Sequence, residues 1–301
     1  MTMTSSHGTS RHQHPGSRMT EPHLCQPDHN KSCAWCCGLY QIEGKTRQDL
    51  ASLLHARTAC FARTPRTVGH IIAYAEQRRQ QEGLLFLDPD FYSCEFIGFL
   101  DKESRLVGCL LNPLAQGNGG IDWRGLSYHG GAACSKYFCA GFRKLSVLQK
   151  RIVVRAIQDW YLYGLVVPGI AYILSFFRLF AIFTHQKVHL NQLLSPSALS
   201  YVRQFFGWKL DWPYRSSAPS GGCLYSGPID RAAHDSSCAI ATDTYTASVE
   251  TVFHCLDSTF PSAQAKKEAQ EQLETFFIRL KKVLAEQEAN SPFGTTGELT
   301  T

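Results

Sequence analysis

The run Cys33-Ala34-Trp35-Cys36-Cys37 places three thiols within five residues, and Cys60, Cys94, Cys109, Cys134 and Cys139 follow before residue 140. With Cys25, nine of the twelve cysteines lie in the first half of the chain. Thiolates brought together by a tight turn and joined by distant thiolates are the donor set of a soft metal ion or an iron–sulfur cluster. Cys33 and Cys36 stand at the spacing that lets two sulfurs reach one ion at about 2.3 Å. Cys37 is adjacent, so its side chain should diverge from that of Cys36 and serve a second ion, unless the turn is unusual. The candidate ligands are Cys25, Cys33, Cys36, Cys37, Cys94, Cys109, Cys134 and Cys139. His129, close to Cys134, could replace a thiolate, although a solvent-exposed loop histidine is the plainer reading. Cys60 sits in a helical pattern and reads as a buried hydrophobe. Cys223, Cys238 and Cys255 have no ligand spacing.

The rest of the composition bounds the class. The chain has 301 residues, 44% apolar and 18% charged, with a formal net charge of +5. Its mean hydropathy is −0.18. That suffices for a sizeable core. The positive charge is scattered, so nucleic acid is not an expected partner. Residues 1–28 are rich in Ser, Thr, His and Pro, read as a disordered tail, and lack the continuous apolar core of a secretory signal. His7, His12 and His14 belong to that tail. The expected location is the cytoplasm, where thiols stay reduced and a cysteine-rich chain favours metal ligation over disulfides.

The order and surroundings of the cysteines also resemble the zinc- or iron-chelating cysteine-cluster proteins of the YkgJ-like family. The matching pieces are Cys33-Ala34-Trp35-Cys36-Cys37, then Cys94-Glu95-Phe96-Ile97-Gly98-Phe99-Leu100-Asp101, then Gly108-Cys109-Leu110-Leu111, then Cys134 to Cys139. The resemblance covers about residues 25 to 142. The family's earlier cysteine is replaced at a greater distance by Cys25, and its Tyr-x-x-Arg-Pro is reduced to Asn112-Pro113 with a glycine-rich insertion. The resemblance implies metal chelation and is silent on the C-terminal half.

The elements that must position these residues follow from periodicity. Residues 46–61 read as a helix capped by Thr46, and residues 68–79 as a second. Residues 84–101 are irregular apolar runs, 105–113 are β-like, and 114–133 form a glycine-rich loop. Apolar residues recur at helical steps over 145–163, and further helices are expected at 176–183, 197–206 and 266–288. Residues 213–245 read as loop. The fold class is mainly α, with an irregular, cysteine-rich N-terminal lobe and few short strands. The expected divisions are a tail (1–28), a metal-binding lobe (29–144), a helical lobe (145–289) and a second tail (290–301).

Residues 161–183 are apolar enough to touch a membrane, but Pro168, Gly169 and Arg178 interrupt them. A buried helix–break–helix is the expected form. Functionally, zinc or iron held by thiolates in a structural or sensory role is the leading expectation, because a fully ligated zinc has no open position for catalysis. The first alternative is an iron–sulfur redox protein or metalloenzyme, with Tyr40, Glu43, Asp101, Asp122, Lys136 and Arg143 near the site. The second is a metal donor that exchanges ions with a protein partner through Cys36 and Cys37. No serine-nucleophile, phosphate-loop or dinucleotide signature occurs.

Overall fold

A computed structural model describes residues 21–28, 30–87, 90, 92–131, 134, 139–185, 188–216 and 243–289. The chain is mainly helical, with two short strands among these residues. Helix α1 (Arg47–Ala62) starts where the sequence signal lies. The Thr46 side chain accepts the Asp49 N–H, and the Asp49 carboxylate accepts the Thr46 N–H at 2.9 Å. This reciprocal cap satisfies amide groups that no helical carbonyl can reach. Helix α2 (Val68–Glu82) is capped by Thr67 and ends at Gly83 in the left-handed region.

Strands β1 (Ile97–Phe99) and β2 (Val107–Cys109) pair antiparallel, with Ile97 opposite Cys109. Helix α1 lies against β1, and the Thr58 hydroxyl accepts the Phe99 N–H at 2.8 Å. Phe61, Ile71, Tyr74, Cys94, Phe96, Leu110 and Leu111 form a core between α1, α2 and the sheet. Arg57 ties these pieces together while fully buried. Its guanidinium donates to Glu82 of α2 at 2.9 and 2.6 Å and to the Cys94 carbonyl at 2.9 Å. Such a cation tolerates burial only because its donors are matched by a carboxylate and a carbonyl.

The C-terminal half is built from α3 (Ala140–Lys144), α4 (Val147–Ala156), α5 (Trp160–Val166), α6 (Ile170–Thr184), α7 (Pro196–Asp211), α8 (Asp243–Cys255) and α9 (Ala263–Ala289). The single helix expected over 145–163 is therefore interrupted. Helix α4 ends at Ile157, which is extended, and Asp159 opens α5 by accepting the Tyr161 and Leu162 N–H groups at 3.1 and 3.0 Å. The apolar spacing runs across this break because Ile152, Val153 and Ala156 of α4 and all of α5 are buried. The loop expected at 213–245 mostly falls on 217–242, outside the described residues, and α8 already begins at Asp243. The expected tail at 290–301 lies outside them too.

Helices α5 and α6 form the expected helix–break–helix, bent by 82°. Pro168 has no N–H to continue the helix. Helix α6 is the central element of its lobe. Tyr172, Ile173, Phe176, Leu179 and Phe180 are buried, and Phe176 packs on Phe205, Phe206 and Phe277. Arg178 is its exposed residue. A helix apolar all round is a core helix when its neighbours cover it, as here. Among the described residues no single helix is long and apolar enough to cross a membrane.

The two halves share side chains. Trp160, Tyr161 and Leu165 of α5 belong to one core with Leu39, Tyr40, Leu50, Leu54, Phe99 and Val107. Leu24 and Cys33, in turn, join the helical core. A Cβ on Gly164 would fall 2.0 Å from the Tyr40 hydroxyl, so glycine admits the ring and lets it donate to the Trp160 carbonyl at 3.2 Å. Residues 21–28, the end of the segment expected to be a tail, pack on this helical half. Leu24 is buried, its carbonyl accepts the Tyr163 hydroxyl at 2.9 Å, and Glu21 pairs with Lys150.

Candidate metal centre

The cysteine turn is a short 3₁₀ helix over Trp35–Cys37, entered through Ala34 (φ 56°) and left through Gly38 (φ 76°). At about three residues per turn, successive side chains point roughly a third of a circle apart. Cys36 and Cys37 therefore point in different directions, although Cys134 bears on both. Trp35 stacks on Tyr40 with ring centroids 6.2 Å apart, which pins the turn to the shared core.

One group contains Cys25, Cys33, Cys36 and Cys139. Burial pushes the Cys25 thiol up to about 11, and Cys139 adds to the shift. Cys36, at the exposed edge of the turn, is pushed up to about 12 by desolvation, with Cys139, then Cys25, and also Cys134 contributing. Cys33 is driven well up by burial, partly offset by the Trp35 N–H, and it faces Cys36, Cys25 and Cys139. The Cys33 N–H also donates to the Cys25 carbonyl at 2.9 Å, which holds residues 21–28 beside the turn.

The other group contains Cys37, Cys94, Cys109 and Cys134. Cys37 is shifted well up by burial and then by Cys94, Cys109, Cys36 and Cys134. Cys94 is pushed up to about 12 by burial, against an N–H from Phe96, and Cys109 bears on it. Cys109 reaches about 11 through burial, against N–H groups of Leu111 and Asn112, with Cys134 adjacent. The Ser127 hydroxyl is 3.3 Å from the Cys134 sulfur. A crossing of two loops makes this group possible. The Cys94 N–H donates to the Cys37 carbonyl at 2.8 Å, and a Cβ on Gly38 would lie 1.8 Å from the Tyr92 carbonyl oxygen.

The eight candidate cysteines thus gather in one neighbourhood with two denser groups, Cys25, Cys33, Cys36 and Cys139, and Cys37, Cys94, Cys109 and Cys134, bridged by Cys36, which bears on both Cys134 and Cys37. Among the described residues, no three His, Cys, Asp or Glu side chains converge tightly enough to grip an ion as they stand. The thiols are electrostatic neighbours without coordination geometry. By donor chemistry each set suits zinc or an iron–sulfur cluster, both of which take four thiolates. Because the raised thiols hold their protons at neutral pH, an entering ion must displace them, and affinity would rise with pH.

Cys60 lies in α1, packed beside the Phe61 core, with its sulfur 3.9 Å from an Arg63 guanidinium nitrogen. His129 is exposed and edge-on to Tyr128, with centroids 5.0 Å apart. Of the polar residues considered near the site, Tyr40 is buried in the shared core, Glu43 and Arg143 are exposed, and Asp101 accepts the Arg105 and Leu106 N–H groups. Asp122 holds Arg124, while Lys136 lies outside the described residues, as do His7, His12 and His14.

Sequence reasoning passed over three supporting residues. Arg57 anchors the Cys94 carbonyl. Arg124, held by Asp122 at 2.6 Å, directs its charge toward Cys109 and Cys134. Glu95 is buried beside Cys94, bonded to the Tyr92 hydroxyl and 2.8 Å from the Arg79 guanidinium. None has a spacing signal, since each acts through a partner distant in sequence or through a loop. No family model, no curated protein and no solved structure matches this chain. The cysteine-cluster resemblance accordingly rests on the residues quoted for it.

Proposed function

We propose that the N-terminal half is a thiolate metal-binding module that takes two four-coordinate soft ions, zinc or iron, in a structural or sensory role. Cys25, Cys33, Cys36 and Cys139 ligate one ion, and Cys37, Cys94, Cys109 and Cys134 the other. The observation that carries this reading is the gathering of eight thiols from distant segments into one neighbourhood with two denser groups of four. Ion pairing with the thiolates would replace the burial penalty that otherwise keeps Cys25, Cys33, Cys36, Cys37, Cys94 and Cys109 protonated. Zinc bound this way supplies fold stabilisation and leaves no open position for a substrate.

The test is elemental analysis and an absorption spectrum on protein purified without oxygen. Two equivalents of zinc and no visible absorbance are expected, and Cys33→Ser and Cys94→Ser should each remove one. Iron with visible charge-transfer absorbance would instead favour an iron–sulfur redox role. Protein carrying no metal, and taking none up on reconstitution, would overturn the reading.

A further inference from the structure

We propose that Cys37 and Cys94 form a dithiol–disulfide pair, oxidised by a small-molecule disulfide and reduced again by free thiol. Such a pair needs two sulfurs and no bound ion, so it stands apart from the metal-binding reading.

The main chain sets the distance. The Cys94 N–H donates to the Cys37 carbonyl at 2.8 Å. Residues joined in this way hold their Cα atoms about 5–6 Å apart, and disulfides span Cα separations of about 4.4–6.8 Å. The segments come this close because Gly38 has no side chain. A Cβ there would lie 2.9 Å from the Ser93 Cα as well as colliding with the Tyr92 carbonyl. Both ends are fixed. The Cys94 carbonyl is held by buried Arg57 at 2.9 Å, and Cys37 closes a 3₁₀ turn set between two left-handed residues, Ala34 and Gly38.

The side chains also meet. Cys94 lies in the core of Phe61, Tyr74 and Phe96, and Cys37 packs against that same core. Among the thiols that bear on Cys37, Cys94 acts most strongly. Other cysteines of this core are placed differently. Cys109 stands opposite Ile97 in the ladder, and the Cys60 sulfur lies beside Arg63. Cys25 and Cys33 share a main-chain bond too, at 2.9 Å, but the thiol acting most strongly on Cys33 is Cys36.

Exposure sets the order of events, since Cys37 is half-buried and Cys94 buried. The Cys37 thiolate attacks one sulfur of a glutathione disulfide, forms a mixed disulfide and expels one glutathione thiolate. Cys94, its proton lost to solvent, then attacks the Cys37 sulfur and expels the second glutathione. Two protein thiols give up two electrons and two protons, and the glutathione disulfide takes them up as two thiols. The bond closes covalently a loop crossing that the reduced chain holds by its main-chain contact, so the pair responds to the thiol–disulfide balance around the protein.

The experiment uses the full chain, reduced, stripped of metal by a chelator and incubated with oxidised glutathione, either folded or in urea. Free thiols are then alkylated and linked peptides identified by mass spectrometry. A Cys37–Cys94 peptide is expected as the leading product of the folded protein, at least about tenfold more abundant than in urea, where closing so long a loop is disfavoured. Sequence-near pairs such as Cys33–Cys36 should lead in urea. Cys94→Ser should leave Cys37 carrying one glutathione. Linkage of Cys37 to a different cysteine, formation of Cys25–Cys33 ahead of Cys37–Cys94, or equal yields in the folded and urea samples would overturn the pairing. Zinc content, measured separately on protein never treated with chelator, decides the metal-binding reading, so the two fail independently.

Discussion

Gly38 shows how much one residue decides in the candidate metal centre. Its φ of 76° is available to glycine at little cost, and its missing Cβ is what lets the Tyr92 carbonyl cross the cysteine turn. Gly38→Ala should therefore push the 92–94 loop off Cys37 and lower zinc content by about one equivalent, read by elemental analysis on the reconstituted protein. Cys60→Ser, in contrast, should leave zinc content unchanged, because Cys60 sits in α1 with its sulfur beside Arg63, apart from the cysteine turn. If the two variants lost metal alike, the division of ligands would fail. At this scale the candidate ligands were legible, since spacing and a turn suffice to mark Cys33, Cys36 and Cys37. Their sorting was not. Nothing local says that Cys36 turns toward Cys139 while Cys37 turns toward Cys94, because those partners are chosen by loops that cross in space.

Elements are held in register by buried polar groups as much as by apolar faces. Arg57 links α1, α2 and the Cys94 loop, and the Tyr74 hydroxyl donates to the Arg57 carbonyl at 3.1 Å. Arg57→Met should destabilise the protein by about 3–5 kcal/mol, because it leaves the buried Glu82 carboxylate unpaired. The double variant Arg57→Met/Glu82→Leu should recover much of that loss, since a dry apolar pair carries no desolvation penalty. Urea unfolding of both variants is the check. If the double variant were as unstable as the single one, packing and not the unpaired charge would be the cause. Helix starts with local caps, such as Thr46 at α1, could be read from sequence because both partners lie within one turn. The break between α4 and α5 could not, because the apolar repeat continues across it and only the Asp159 cap and the extended Ile157 mark it.

At the scale of the whole molecule, the helical half buries a lysine whose charge is coupled to folding. Lys209 is 1% exposed, donates to the Cys255 carbonyl at 2.5 Å and lies 5.8 Å from the Tyr172 ring centroid. Burial lowers it to about 8, with Asp257 opposing and Arg215 reinforcing that shift. The folded state thus releases this proton more readily than the unfolded chain, whose lysine titrates near 10.5. The associated stability is fully present above about pH 10.5, declines as pH falls, and is lost below about pH 8. Lys209→Met should remove that slope, so the wild-type-minus-variant difference in unfolding free energy should change by about 3 kcal/mol between pH 7 and pH 10.5. Urea unfolding across that range tests it. A pH-independent difference would mean that Lys209 is charged in both states, or neutral in both.

Sequence alone determined that the chain is mainly helical, that its thiols cluster in an irregular N-terminal half, and that residues 161–183 break at Pro168. These are local or compositional properties, carried by periodicity, caps and proline. The tertiary structure alone decided that the two halves share a core through α5, that residues 21–28 are packed with Leu24 buried, and that eight thiols from distant segments gather beside one another. Those outcomes depend on which apolar faces and loops meet across 100 or so residues of chain, and a contact at that separation leaves no spacing behind to be read.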